Sequence, residues 1–491
     1  MASNLVEKLT AEGKGEQAAF LNEIVAQLWP NISVAGSQMT KDIVEPMFKS
    51  MLPGPLSGLH FTKIDLGTVP LRLNNVRTVE STTGGIKLDM NVDWDGECDI
   101  QLDASMMPAL GVKHVKLRGR LSVLLGPLTN IIPLIGAAQV SFVNPPMLEL
   151  DFTGAANVAD FDAIDGAVRG VILSIINSMA TLPNRYLVTL DAKNDYFKTF
   201  VQPLGVIRIT VEKAWDFAEE ESQNKAKKLF AKLTRAAPDC YTKVEVGAEP
   251  EWKTTTKNNT THPSWDETSD FVVTDFDQCI KLHLLDEDVN GDDEVGMAVT
   301  TVKEVLLGGG RHELALTHKG EETGGKVSIA CEYYNLAADG GKSFSAAAHH
   351  GPACMCGVAN ILVGNAYGIK GQREQLTPSV KVSWGQKHTF QTAVKTDAPG
   401  TDINNPTFDQ NFRVPLHVDS AGSGQPFRLS LMNGEKEIGG VDVPFDEVLK
   451  APDMTLEKKF DVGGGTTVRA SFSLRGLVHH AEQKQQTLPQ R

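Results

Sequence analysis

The stretch DEDVNGDDEVG, Asp286 to Gly296, crowds six carboxylates into eleven residues. Converging carboxylates are the chemistry of a hard divalent cation. The first six letters, D-x-D-x-N-G, match the opening of an EF-hand calcium loop, with oxygen ligands at positions one, three and five and glycine at six. The twelfth position, where that loop needs a bidentate glutamate, is Met297. The preceding flank, CIKLHLLD, alternates Ile280, Leu282 and Leu284 with Lys281 and His283, which is a strand rather than a helix. A calcium site on a β scaffold is expected, not an EF-hand.

Other chemical signals fail on inspection. GEETGGKV resembles a phosphate-binding loop but ends in Val327, which has no hydroxyl for a metal. RHELAL has Leu316 where a zinc protease needs its second histidine, and no G-x-S-x-G elbow occurs. HHGPACMC, with His349, His350, Cys354 and Cys356, lacks zinc-site spacing and reads as linker. No enzymatic activity is expected.

The scaffold must be read from the whole chain. Its 491 residues suggest about three domains, and a net charge of −14 argues against nucleic acid as a partner. Six cysteines without a secretory signal suggest a reducing, cytosolic compartment. The apolar run Leu121–Val143 is broken by Pro127, Asn130, Pro133 and Gln139 and continues an alternating strand, so no transmembrane segment is expected.

After a loose tail at 1–15, residues 16–201 mix helices with long strands. In EQAAFLNEIVAQLWPNI, Phe20, Ile24 and Leu28 recur at four-residue steps with Leu21 beside them, an amphipathic helix. GIKLDMNVDW, VKLRGRLSVLL and MLELDFTG alternate apolar and polar residues, giving sheets with one dry face. Either an ordinary core or a lipid would cover that face, and alternation alone does not separate the two. Residues 203–336 and 357–477 form an internal repeat of β-rich modules, joined by a linker at 337–356 and followed by a tail at 478–491. Gly205, Ile207, Ile209, Val211 and Ala214 parallel Gly357, Ala359, Ile361, Val363 and Ala366, and each series carries a later turn, HPSWDETSDFVV or NPTFDQNFRVPL. An insertion at 222–237 reads as a short basic amphipathic helix, fit either to lie in a lipid interface or to pack on its own domain.

Both repeats resemble C2 domains, through these opening strands, PDCYTKVEVG and TPSVKVSWG, the proline–aromatic turns and LHLLDEDVNGDDEVG. The resemblance implies eight-stranded sandwiches whose loops at one end bind calcium. Carried over, it offers Asp239, Asp286, Asp288 and Asp293 as ligands, with the remaining place falling to Asp216 or one of 219–221. It also sets the insertion beside those loops, making Lys225, Lys228, Phe230, Lys232 and Arg235 candidate membrane contacts. The second repeat has Met432 and Asn433 where carboxylates should fall, and no calcium is expected there.

The first module resembles the synaptotagmin-like, mitochondrial-lipid-binding-protein (SMP) domain of extended synaptotagmins, tricalbins and plant synaptotagmins. FLNEIVAQLWPNI, FTKIDLGTVPLRLNNVRT, LDMNVDWDGECDIQL, VKLRGRLSVLLGPL, IPLIGAAQVSFVNPPMLELDFTG and LPNRYLVTL carry the likeness. It implies an α+β tubular lipid-binding (TULIP-like) fold with an apolar groove, followed by two all-β C2 sandwiches. Trp94, Leu121, Val123, Leu125, Val140, Phe142, Leu148 and Leu150 are the groove candidates, about half of them expected to touch lipid and the rest to be core. Members of the family usually begin with a membrane hairpin, which does not appear in this sequence, so the expectation is either that the hairpin was removed or that the chain is recruited by other means.

The implied function is calcium-regulated lipid binding and transfer at membrane contact sites between endoplasmic reticulum and plasma membrane. The groove would carry glycerophospholipids, the C2 domains would dock on anionic membranes at their cytoplasmic face, and the SMP domain would form a homodimer. A calcium-dependent peripheral scaffold or tether without transfer is the alternative.

Overall fold

The computed structural model describes residues 18–52, 54–80, 85–103, 110–153, 161–217, 237–288, 291–342, 344, 354–386, 388–397, 402–421 and 424–479. The chain divides into two compact units, one holding Met1–Asn194 with Glu245–Glu251 and Asp275–Ile280, the other holding the remainder.

The first unit contains α1 (Ala19–Met51), β1 (His60–Asp65), β2 (Arg72–Glu80), β3 (Ile86–Asp103), β4 (Leu110–Leu128), β5 (Ile135–Phe142), β6 (Met147–Thr153), α2 (Phe161–Ala180) and β7 (Tyr186–Thr189). Its seven strands run in the order β1-β3-β4-β5-β7, with β2 also on β3 and β6 also on β4. The two longest strands each serve two partners in succession. β3 pairs with β2 through 86–93 and with β1 through 99–103, and β4 pairs with β6 through 111–118 and with β5 through 121–128. A register shift in β3 between Glu97 and Ile100 adds local bend. Gly96 is required there, because a Cβ would fall 2.5 Å from the Trp94 ring. The result is a curled sheet flanked by helices, the α+β arrangement expected.

Helix α1 departs from the expected orientation. Phe20, Ile24 and Leu28 are exposed, Phe20 by 66%. Trp29, Val44 and Phe48 are buried instead, with Val25, Ile43 and Met47 packed beside them. Polar and aromatic anchors set this rotation. The Asn22 amide donates to the Leu73 carbonyl (2.8 Å) and accepts from the Leu73 N–H (2.8 Å), and Trp29 Nε1 donates to the Gly67 carbonyl (2.9 Å). Trp29 also sits 5.5 Å from Trp94, and Phe48 5.7 Å from Phe61.

The second unit opens with α3 (Tyr196–Thr199) and continues into two eight-stranded modules. The first has β8 (Gly205–Trp215), β9 (Cys240–Val246), β10 (Trp252–Lys253), β11 (Ser264–Val273), β12 (Cys279–Asp286), β13 (Asp293–Thr301), β14 (Arg311–His318) and β15 (Glu321–Ala337). The second has β16 (Met355–Tyr367), β17 (Pro378–Trp384), β18 (His388–Gln391), β19 (Thr407–His417), β20 (Phe427–Asn433), β21 (Lys436–Val443), β22 (Thr455–Gly463) and β23 (Thr466–His479). The repeat holds at the level of single hydrogen bonds. β8 lies between β11 and β15, as β16 lies between β19 and β23. The Ala214 N–H bonds the Pro263 carbonyl (3.1 Å), as the Ala366 N–H bonds the Pro406 carbonyl (3.0 Å).

The two modules share a sheet. β15 pairs with β23 from Tyr334↔His479 to Ala337↔Gly476. Beside this ladder Val206, Val272, Met355 and Val358 are buried together, with Leu336 and Leu477 against them.

Candidate lipid and calcium sites

Hydrogen bonds join two of the calcium candidates, Asp239 and Asp286, at one end of the first sandwich. Asp239 immediately precedes β9 and Asp286 ends β12. The Asp239 N–H donates to Asp286 Oδ1 (2.7 Å), and the Glu287 N–H returns to the Asp239 carbonyl (2.9 Å). Asp239 Oδ1 in turn accepts from the Asn259 N–H (2.7 Å), and Asn259 accepts from the Ala237 N–H (2.8 Å). Asn259 is a positioning residue missed in the sequence, although the Asn-rich KNNTT run is ordinary turn chemistry.

The electrostatics of this end favour a cation. Burial raises the Asp286 carboxyl above its ordinary value, and the charges of Asp288, Asp239 and Asp293 push the same way, against the stabilising N–H of Asp239. Asp292 behaves differently. Tyr241 donates to its Oδ2 (2.6 Å) and the Asp288 N–H approaches Oδ1 (3.3 Å), which holds it low and commits it to the loop. Asp288 and Asp293 are exposed. Asp216 stands at φ 60° just beyond β8. Among the described residues no three His, Cys, Asp or Glu side chains converge as a ready-made metal cage. The donor set nevertheless fits calcium, since hard oxygens on flexible loops with uncompensated charge are what that ion requires. Lys225, Lys228, Phe230, Lys232 and Arg235 lie outside the described residues.

The second module fills the same frame with uncharged side chains. Thr377 stands where Asp239 does, just before β17, and Asn433 ends β20 as Asp286 ends β12. The Thr377 N–H donates to Asn433 Oδ1 (2.6 Å), and the Gly434 N–H returns to the Thr377 carbonyl (3.2 Å). Asn433 also donates from Nδ2 to the Gln375 carbonyl (3.2 Å), a bond no carboxylate could make. The acidic loop between β12 and β13 is here reduced to Gly434 and Glu435, because Asn433 pairs with Lys436.

The lipid candidates separate into two groups. Trp94 and Leu148 are buried in the cluster between helices and sheet, with Leu150 packed against it. Phe142 is also buried, its ring lying over Gly119, where a Cβ would meet it at 2.8 Å. Leu121, Val123, Leu125 and Val140 stay partly exposed on one face, and Val123 pairs with Val140 across β4 and β5. Among the described residues these four belong to no buried cluster of the unit. They form a partly exposed aliphatic wall.

The buried thiols offer no nucleophile. Burial raises Cys98 to about 11 and Cys240, Cys331 and Cys356 to about 12, far from the thiolate. Cys356 lies in the second sandwich core, its Sγ 3.2 Å from the Leu416 carbonyl.

The family model described as the synaptotagmin-like mitochondrial-lipid-binding domain matches residues 14–191, and the C2 domain model matches 205–316 and 359–460. Extended synaptotagmin-2 of Homo sapiens is 26% identical over 96% of this chain and 51% of its own length. Extended synaptotagmin-3 of Xenopus tropicalis is 25% identical over 94% of this chain and 53% of its own. The chain thus spans about half the length of these curated relatives. A solved structure of the SMP, C2A and C2B domains of extended synaptotagmin 2 covers 95% of this chain and all of its own, with a TM-score of 0.64 at 24% identity.

Proposed function

Because the chain joins an SMP domain to two C2 domains and so belongs to the extended synaptotagmin family, we propose that it binds glycerophospholipids and carries them at membrane contact sites under calcium control. The observation that carries this reading is the partly exposed aliphatic wall of Leu121, Val123, Leu125 and Val140. Acyl chains laid on that wall would leave water, and transfer needs no bond to form or break.

The first C2 domain supplies the calcium response in this reading. Asp239 and Asp286, with Asp288 and Asp293, would hold the ion. Calcium supplies the positive charge that lets these carboxylates approach an anionic membrane, and it accepts lipid phosphate oxygens. The second C2 domain, closed by Asn433, gives a calcium-independent contact. Two copies associate through the SMP domain, consistent with the exposed Phe20, Ile24 and Leu28. The place of action is the cytoplasmic face of endoplasmic reticulum and plasma membrane. No helix among the described residues is long and apolar enough to cross a membrane.

The test is mass spectrometry of lipid extracted from the detergent-free chain and from the double variant Val123→Trp, Val140→Trp. Stoichiometric phospholipid in the parent and its loss in the variant are expected, with calcium-dependent vesicle binding retained in both. An empty parent that takes up no lipid from vesicles would make the chain a scaffold.

A further inference from the structure

Between Leu121 and Val143 the chain carries no charge, and the run folds as the paired halves of β4 and β5 with the turn 129–134 between them. Four aliphatic side chains stand in water at that tip. Leu128, Ile131 and Leu134 are half exposed or more, and Ile132 is 89% exposed. The turn is built to hold them there. The Thr129 N–H donates to the Leu134 carbonyl (2.8 Å), the Leu134 N–H donates to the Ile131 carbonyl (2.6 Å), and Thr129 Oγ1 donates to the same Ile131 oxygen (2.9 Å). Pro133 has no N–H to satisfy. Each of these features removes a polar group that would otherwise leave water unpaired on entering hydrocarbon. Leu134 is held at φ 73°, in the left-handed region that a leucine enters only under constraint.

The tip is continuous with the aliphatic wall. On β4, Leu121, Val123, Leu125 and Pro127 share one face and run toward the turn. The wall also crosses strands, with Leu88 of β3, Val123, Val140 and Tyr186 of β7 in one row. Val188 and Leu190 continue it toward the turn, both exposed, and the Leu190 N–H bonds the Gly136 carbonyl (3.0 Å) at the foot of the tip.

We propose that this tip inserts Ile131, Ile132 and Leu134 into a lipid bilayer, so that the wall opens onto the hydrocarbon from which it draws acyl chains. The inference rests on the lipid reading of the wall, and its test separates the two. A second protein is the poorer fit. A stable protein interface takes about 20–30 residues a side, whereas the tip offers four side chains at the end of a two-stranded hairpin. A bilayer accepts a few apolar side chains at the acyl boundary. With no charge along the run, no ion has to be stripped of water on entry.

The experiment places the whole chain carrying Ile132→Trp, beside the parent, on phosphatidylcholine–phosphatidylserine vesicles with or without bromine on the acyl chains. Emission from the added indole should shift to shorter wavelength and be quenched by the brominated lipid beyond the parent's own quenching. No excess quenching would overturn the proposal, and so would failure to bind the vesicles. Ile131→Asp with Ile132→Asp should slow phospholipid uptake from vesicles about tenfold. Loading from detergent-solubilised phospholipid should stay at the parent's level, because the wall is intact. Unchanged uptake from vesicles would overturn the proposal, as would a loss of self-association alone, which would assign the tip to a second copy. A parent that loads no lipid from either source would remove the wall reading, and excess quenching at position 132 would then still support insertion of the tip.

Discussion

Asp286 concentrates the calcium chemistry in one group. Burial and three neighbouring carboxylates raise its carboxyl above the usual range, so the folded chain holds this proton more tightly than the unfolded chain does. Calcium-free stability from this group therefore falls as pH rises from the ordinary aspartate value of about 3.9 through the raised one. Calcium displaces the proton, so its affinity should rise with pH over the same window. Thermal melts in chelator and in calcium across that window check both signs. Asp286→Asn should raise the calcium-free melting temperature by ~1–2 °C, a small gain because the group is partly solvated, while removing the shift produced by calcium. A variant that lost stability in chelator would show that the carboxylate is structural.

Elements decide what such residues can do. Asn433 and Asp286 end equivalent strands, but Gly434 and Glu435 leave no room for a second tier of ligands. Asn433→Asp should therefore create no calcium site by isothermal titration, and it should destabilise the second C2 domain by about 1 kcal/mol through loss of the bond to Gln375. Helix α1 allows a matching test. Phe20→Asp with Leu28→Asp touches only exposed positions, so melting should change little while any self-association measured by light scattering is lost. Trp29→Ala should cost ~3–5 kcal/mol. Much of this was legible in the chain. The repeat, the strands and Asp239 with Asp286 followed from alternation and the family likeness. The rotation of α1 was not, because two apolar stripes compete on one helix and the choice rests on Asn22 and Trp29 finding the backbone carbonyls of Leu73 in β2 and of Gly67 in the loop before it. Nor could alternation divide Trp94 from Val123, since both lie on dry faces and only the helices decide which part is covered.

At the scale of the whole second unit, the C2 domains are one object. Asp270 in β11 accepts twice from Arg208 (2.8 and 3.0 Å) and once from the Met355 N–H (2.9 Å) at the start of the next domain. Asp270→Ala would strand a buried guanidinium and should cost ~3–5 kcal/mol. The loss should appear in both C2 domains together, as faster exchange in β8 and in β16. Loss confined to one domain would show that they unfold independently. The shared sheet also bears on how the protein can be divided. A first C2 domain cut after Ala337 would carry the end of β15 as an open edge, with Val206 and Val272 bared beside it. Unsatisfied backbone next to apolar surface invites pairing with an identical neighbour. Such a fragment should dimerise or aggregate edge to edge, and its oligomers would reflect the cut rather than any habit of the intact chain.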